Sequence, residues 1–253
     1  MKAFFLTLLL VASAVSASRF DLTYPLRLRS DGSETLLEGI TCSAWRYATS
    51  TNNIRDWKTV PTECEEYIKS YYETHKFQDH SKAVNREAYF YAREIPLAKD
   101  GRDVFIFDVD DTVISNLPYY REHGYGTEEY NATEFDTWLE KGEAPALPET
   151  IKLYNKLLNL GFKIVFLTER NAGHIKITQQ NLRNVGYTTW HKYFYKGSKY
   201  TGLTSGQYKE QMRKQLVSAG YRIRGIIGDQ WSDLVGEAVG DRTFKLPNAL
   251  YYI

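Results

Sequence analysis

Cysteine is nearly absent from this chain: only Cys42 and Cys64 occur in 253 residues. A catalytic thiol of the Cys-x5-Arg type would need arginine where Ala48 and Ser70 stand, so that route is closed. Histidine is also sparse, and His75, His80, His123, His174 and His191 show no metal-ligand spacing. Neither an Arg-His-Gly motif nor an Asn-His pair appears, which excludes histidine-based and binuclear-metal phosphate chemistry. These histidines read as surface or satisfied core positions. Long apolar runs are lacking too. The one candidate, Ala3 to Val15, follows Met1-Lys2 and ends in Val15-Ser16-Ala17, with small residues at the cleavage positions. It is shorter than the roughly 20 residues a bilayer needs and reads as a secretory signal peptide over residues 1–17. No membrane association is expected once it is removed. An excess of charge is missing as well: the formal net charge is +1, and 0 after Lys2 is lost, so no basic field exists to hold nucleic acid.

What is present fits an exported globular chain. Hydrophobic residues make up 43%, enough for a core over residues 18–253. Export and an even cysteine count predict a Cys42–Cys64 disulfide. Asn131-Ala-Thr133 is a glycosylation acceptor that export makes usable.

Residues 18–100 read as an N-terminal extension, loop-like at first, then carrying two helices. One starts at a Thr62 cap with Glu65 three residues on, and the other spans about Ala83 to Tyr91. From residue 101 strands and helices alternate: strand 103–107, helix Pro148–Leu160 closed by Gly161, strand Phe162–Leu167, helix Ile175–Val185 closed by Gly186. A turn-rich stretch around Lys196 to Lys199 precedes a helix from Ser205 to Ala219 and the strand Arg222–Ile227. This order predicts an α/β fold with a doubly wound parallel sheet, a helical N-terminal extension and a small cap insertion at about 113–147.

Three of the expected strands end in polar groups: Asp108 with Asp110, Thr168-Glu169-Arg170, and Asp229 with Asp233. Parallel neighbours bring such ends to one edge, where open α/β sheets bind ligands. Carboxylates gathered there repel one another unless a cation neutralises them, and a hard, oxygen-liganded Mg²⁺ meets that need. An EF-hand loop is excluded, because its glycine and glutamate positions hold Val113 and Tyr119. The helix face with Lys209, Arg213 and Lys214 would, taken alone, read as a solvated face.

FDVDDT, then FLTER, then a helical lysine, then GDQWSD together resemble the haloacid dehalogenase (HAD) superfamily of aspartate-nucleophile hydrolases. FDVDDTVISNLPYY, QYKEQMRKQLVSAGYRI, GDQWSDL and FKLPNALYYI are similar to its plant acid phosphatases and vegetative storage proteins, class B-like members of subfamily IIIB, from about Cys42 onward. The resemblance implies Asp108 as nucleophile and Asp110 as acid and base, with Thr168 and Lys209 holding the phosphoryl group; Arg170, beside Thr168, is a further candidate for substrate contact. It also implies Mg²⁺ ligands from the Asp108 side chain, the Asp110 backbone carbonyl and Asp229, with Asp233 in support. Glu169 departs from the glycine or asparagine of many relatives and adds negative charge near the phosphate, with Arg170 as its expected offset.

The function expected is a secreted or vacuolar acid phosphatase acting on small phosphate esters. The alternative is a storage protein on the same scaffold with weak activity. Crowding against Asp108 is expected to raise the proton affinity of Asp110 and so give an acidic optimum. Tyr119, Tyr120, Tyr125, Tyr130, Phe135 and Trp138 crowd the insertion, where packing under a loop is the favoured reading and a grip on the leaving group the other. Oligomeric state is not written in the chain. The resemblance brings in a homodimer, as plant relatives often associate as dimers.

Overall fold

The computed structural model describes residues 39–253. The expected signal peptide and the first part of the extension lie outside them. Five parallel strands form one sheet: β1 (Asp103–Phe107), β2 (Lys163–Asn171), β3 (Lys192–Lys196), β4 (Arg222–Gly228) and β5 (Thr243–Lys245), in the order β3-β2-β1-β4-β5. From β1 the chain winds outward through β2 to β3, then returns to place β4 on the other side of β1. That reversal makes β1/β4 the switch point, where the carboxyl ends leave a crevice.

Alternation along β1 assigns its two faces. Phe105 and Phe107 join the larger core cluster, while Val104 and Ile106 face the smaller one, and all four are fully or almost fully buried. Each buried phenylalanine contributes roughly 1.5–3 kcal/mol by leaving water. On the larger side lie α3 (His75–Arg93), through Ala88 and Ala92, and α6 (Pro148–Leu160), through Leu153, Tyr154 and Leu157. The other face is covered by α8 (Ser205–Ser218), through Tyr208, Met212 and Leu216. Gly225 is required beneath Phe105, since a Cβ there would run into that ring. Gly161 ends α6 in the left-handed conformation at φ 99°, as expected, and α7 (Ile175–Asn184) leads into Gly186 at φ 102°.

The extension contributes α1 (Cys42–Ser50), α2 (Glu65–Glu73) and α3, and its Trp45, Trp57, Ile68 and Tyr71 sit in the same cluster as the sheet's phenylalanines. The expected Thr62 cap does not form: Thr62–Cys64 is a 3-10 turn with no side-chain cap ahead of α2. This segment also reaches the end of the chain. The Tyr72 hydroxyl accepts from Ala249 N at 3.0 Å, Tyr252 donates to Asn52 at 3.1 Å, and the Trp231 indole donates to the Ser50 carbonyl at 3.2 Å.

Cys42 and Cys64 are bonded, closing a sequence separation of 22 residues. A loop of that length constrains the unfolded chain by about 3 kcal/mol. Replacing both cysteines by serine is therefore expected to lower unfolding free energy by about that amount. Urea unfolding with and without reductant checks this, and reductant should leave the variant unaffected.

The insertion folds as α4 (Leu117–Glu122) and α5 (Ala132–Lys141). Asn131 is the exposed N-cap of α5, its Oδ1 accepting from Thr133 N at 3.1 Å. A last short helix, α9 (Trp231–Leu234), follows β4. Among the described residues no helix is long and apolar enough to cross a membrane.

Candidate active site

The register pairs Phe107 with Phe166 on one side and Ile227 on the other, so Asp108, Leu167 and Gly228 lie level. Asp108, Thr168 and Asp229 therefore leave the sheet at one edge. Asp108, Asp229 and Asp233 are all at least 95% buried, and one carboxylate oxygen of each lies within 4.8 Å of the others. Gly228 lets Asp233 lie against the backbone, because any Cβ there would meet its carboxylate.

Among the described residues Lys209 is the one cation hydrogen-bonded to these three side chains. Its ammonium donates to Asp108 Oδ1 at 2.7 Å and, closely, to Asp233 Oδ1. Burial works against a charged lysine, yet the Asp108 and Asp233 charges prevail and hold it well above the usual lysine range. Asp108 is pushed well above the carboxylate range, first by burial and then by the Asp233 charge, which outweigh the pull of Lys209. Three carboxylates against Lys209 and Lys245, the latter at the Asp229 backbone carbonyl, still leave a net negative charge, and burial makes that costly. A divalent cation with oxygen ligands fits this donor set, with the Asp108 and Asp229 side chains to hold it and Asp233, whose oxygens accept from Lys209 and Gln230 N, in support.

Asp229 is already aligned. Its Oδ1 accepts from the Thr112 hydroxyl at 3.1 Å, and its Oδ2 from Gln230 Nε2 at 2.8 Å and Asn248 Nδ2 at 2.6 Å. Lys245 donates to the Asp229 backbone carbonyl. Asp233 accepts from Gln230 N at 2.9 Å through its second oxygen. The carbonyl of Asp233 and the carbonyls of Val235 and Glu237 receive the fully buried guanidinium of Arg213, at 3.0, 2.6 and 3.2 Å. Arg213 is thus not on a solvated face: one helical turn from Lys209, it ties down α9, which carries Asp233, and the residues just after it.

Asp110 stands apart from this cluster. Arg170 grips it, Nε donating to both carboxylate oxygens at 3.1 Å and Nη2 to Oδ1 at 2.7 Å. The Thr168 hydroxyl donates to Asp110 Oδ2 at 3.3 Å and accepts from Arg170 N at 3.1 Å. Burial raises the proton affinity of Asp110, but the Arg170 charge and its hydrogen bonds outweigh it, and the carboxyl sits below its ordinary value. The expectation of a raised affinity fails for this reason. Crowding acts on Asp108 instead, while Asp110 has a private counter-ion. Arg170 is consequently committed to Asp110 and does not offset Glu169, whose partner is Lys196 at 2.8 Å.

Sequence reasoning missed Asp111, Asn116, Gln230, Asn248 and Tyr251. Asp111 adopts a left-handed φ of 53° and accepts from Asn116 N at 2.9 Å and Tyr251 OH at 3.0 Å. Burial and the Asp229 charge push it up to about 7. Asn116, Asn248 and Tyr251 all lay inside segments singled out as family-like, which was the available signal.

A cleft of about 550 Å³ opens above the acids, lined by Tyr119, Tyr120, Tyr130 and Phe135 of the insertion, Trp57 of the extension and Tyr252. Tyr125 and Trp138 pack below instead: the Tyr125 hydroxyl donates to Glu73 and the Trp138 indole to Asn116. His123 stacks on Tyr119 with centroids 3.9 Å apart. His174, also on the cleft, is buried with an unpartnered Nδ1, unlike the satisfied position expected.

The chain is 49% identical to a "Stem 31 kDa glycoprotein" of Glycine max, over 91% of this chain and 90% of that protein. It is 47% identical to "Acid phosphatase 1" of Solanum lycopersicum, over 86% of each. Identity to "Vegetative storage protein 1" of Arabidopsis thaliana is 46%, over 84% of this chain and 78% of that one. The fold resembles the class C acid phosphatase from Bacillus anthracis, with a TM-score of 0.58 and 24% identity over 76% of this chain and 86% of that one. A family model described as HAD superfamily, subfamily IIIB (Acid phosphatase), matches residues 29–253, and this chain belongs to that family.

Proposed function

We propose that this chain is an exported, Mg²⁺-dependent acid phosphatase that hydrolyses phosphate monoesters through an aspartyl phosphate on Asp108. One observation carries the reading: a buried carboxylate, paired with Lys209 amid uncompensated acids, lies in the wall of an open cleft beside a second carboxylate with its own counter-ion.

In the first step an Asp108 oxygen bonds to phosphorus as the P–O ester bond breaks, and the departing oxygen takes the proton carried by Asp110. In the second, Asp110 takes a proton from water, whose oxygen attacks phosphorus, releasing phosphate and regenerating Asp108. Splitting the reaction this way replaces one difficult displacement by two easier ones. Lys209 and the Thr168 hydroxyl neutralise and hold the equatorial oxygens. Asp108, the Asp110 backbone carbonyl and Asp229 would hold the Mg²⁺, with Asp233 behind them. The ion supplies charge stabilisation for the phosphoryl group when bound. The aromatic cleft accommodates the leaving group.

A panel of phosphate esters tested across pH, with and without chelator, decides the reading. Phosphate release that needs the cation and rises in acid is expected, and none under any condition would overturn it. Because Asp110 must be protonated for the first step, kcat/KM falls as pH rises through its pKa. Arg170 holds that pKa down. Arg170→Gln should therefore move the descending limb of the kcat/KM profile to higher pH by about one unit or more.

The disulfide and the start of the sequence support export, to the cell exterior or a vacuole. The exposed Asn131 supports glycosylation, which mass measurement before and after deglycosylation tests. Similarity to vegetative storage proteins favours one second reading, accumulation as an amino-acid reserve with weak catalysis. Slow turnover of every ester by a very abundant protein would favour it. A homodimer is the assembly that the family resemblance implies, and light scattering tests it.

A further inference from the structure

We infer that Asn116 and Trp138 are positioning residues that hold Asp110 ready to deliver its proton to the leaving group, so that the insertion helix α5 helps set the acid step. This rests on the role proposed above for Asp110.

Asn116 is 1% exposed, and its amide sits between two acids and an indole. Its Nδ2 donates to Asp110 Oδ1 at 2.9 Å and to Asp111 Oδ2 at 3.2 Å. The other end of the amide, Oδ1, accepts from the Trp138 indole N–H at 3.0 Å. An indole nitrogen is a donor only, so it can pair with the amide oxygen and never with the NH₂ group. Trp138 thereby dictates which end of the amide faces the acids. Turned over, Asn116 would present its oxygen to two carboxylates and its NH₂ to an N–H, losing three hydrogen bonds in a buried setting.

Opposite Asn116, Arg170 approaches Asp110, and Thr178 accepts from Arg170 Nη1 at 3.0 Å. The carboxylate is thus fixed from two sides, by an arginine anchored on α7 and an amide anchored on α5. Trp138 itself does not line the cleft. Its influence on the reaction passes through Asn116, and its loss should leave substrate binding nearly alone.

The test is Trp138→Phe, which keeps a buried ring and removes the N–H, with Asn116→Ala as a second variant and Asp110→Asn as benchmark. Two esters are compared: p-nitrophenyl phosphate, whose leaving group departs without a proton, and a simple alkyl phosphate, whose alkoxide needs one. The readout is kcat/KM, which reports only steps through leaving-group departure. A merely structural defect lowers both substrates alike, and their ratio in one sample is independent of the folded fraction.

For Trp138→Phe we expect about tenfold loss on the alkyl ester and a clearly smaller loss on the activated one, the tenfold corresponding to about 1.4 kcal/mol. Asn116→Ala should shift the ratio in the same direction, and Asp110→Asn furthest. Equal losses on both esters in Trp138→Phe and Asn116→Ala, with a strong shift in Asp110→Asn, would overturn the inference and leave the proposed reaction standing. Equal losses in Asp110→Asn as well would remove both.

Discussion

Asp108→Asn is expected to lower phosphate release by a factor on the order of 10⁴ or more while leaving the fold intact, since loss of a covalent nucleophile is rarely compensated. The substitution keeps volume and shape and removes one of three crowded negative charges. Lys209 retains Asp233 as a partner. Because the folded-state proton affinity of Asp108 is raised, its contribution to stability is complete below the ordinary carboxylate range and is lost as pH rises through the folded value. Asparagine does not titrate. In the presence of chelator the variant should therefore match or exceed the native protein in urea unfolding at neutral pH, and its advantage should shrink on acidification. A folded Asp108→Asn protein that still turns over an aryl phosphate at the native rate would refute the assignment.

Lys209→Met should cost both activity and stability. Removing the ammonium leaves Asp108 and Asp233 buried with no hydrogen-bonded cation, a defect worth about 3–5 kcal/mol. The raised proton affinity of Lys209 means that its own titration removes nothing below the ordinary lysine value, so any pH dependence in the acidic and neutral range comes from the carboxylates it faces. Without it, Asp108 binds its proton still more tightly. The deficit of the variant should be small in acid and widen as pH rises above the usual carboxylate range. Saturating magnesium should narrow it if the cation occupies the acid cluster. Losing a charge aimed at the transferring group should also lower kcat by about 10²–10³. Unfolding curves at several pH values, paired with turnover, check each part. An unchanged unfolding midpoint at neutral pH would show that the lysine is not holding the acids together.

How much could be read beforehand depended on burial and charge. β1, the middle of β2 and the end of β4 are apolar because both faces are covered there, and such runs announce themselves. By contrast, β3 is an edge strand with lysines at both ends around Tyr193, Phe194 and Tyr195 and no buried residue, and β5 has only three residues, so neither carries a pattern. The acids at the strand ends were legible because a carboxylate following a buried run needs a reason. Asn116, Asn248 and Tyr251 carry no formal charge and arrive from a loop and a tail whose paths no periodicity sets. Arg213 was misread for a different cause: on a helix, position alone does not distinguish a solvated arginine from one reaching carbonyls in a neighbouring loop. The pairing of Arg170 with Asp110 reversed an argument built on like charges alone.

The contacts between the first helices and the last residues bear on any attempt to pare the protein down. Every recognisable motif falls after residue 100, which invites excision of that stretch as a minimal catalytic fragment. Yet Asn248 and Tyr251, which dress Asp229 and Asp111, stand on a tail moored to Tyr72 and Asn52. A fragment cut at that boundary would keep the whole signature and lose its moorings, so motif content is a poor guide to where this molecule can be divided.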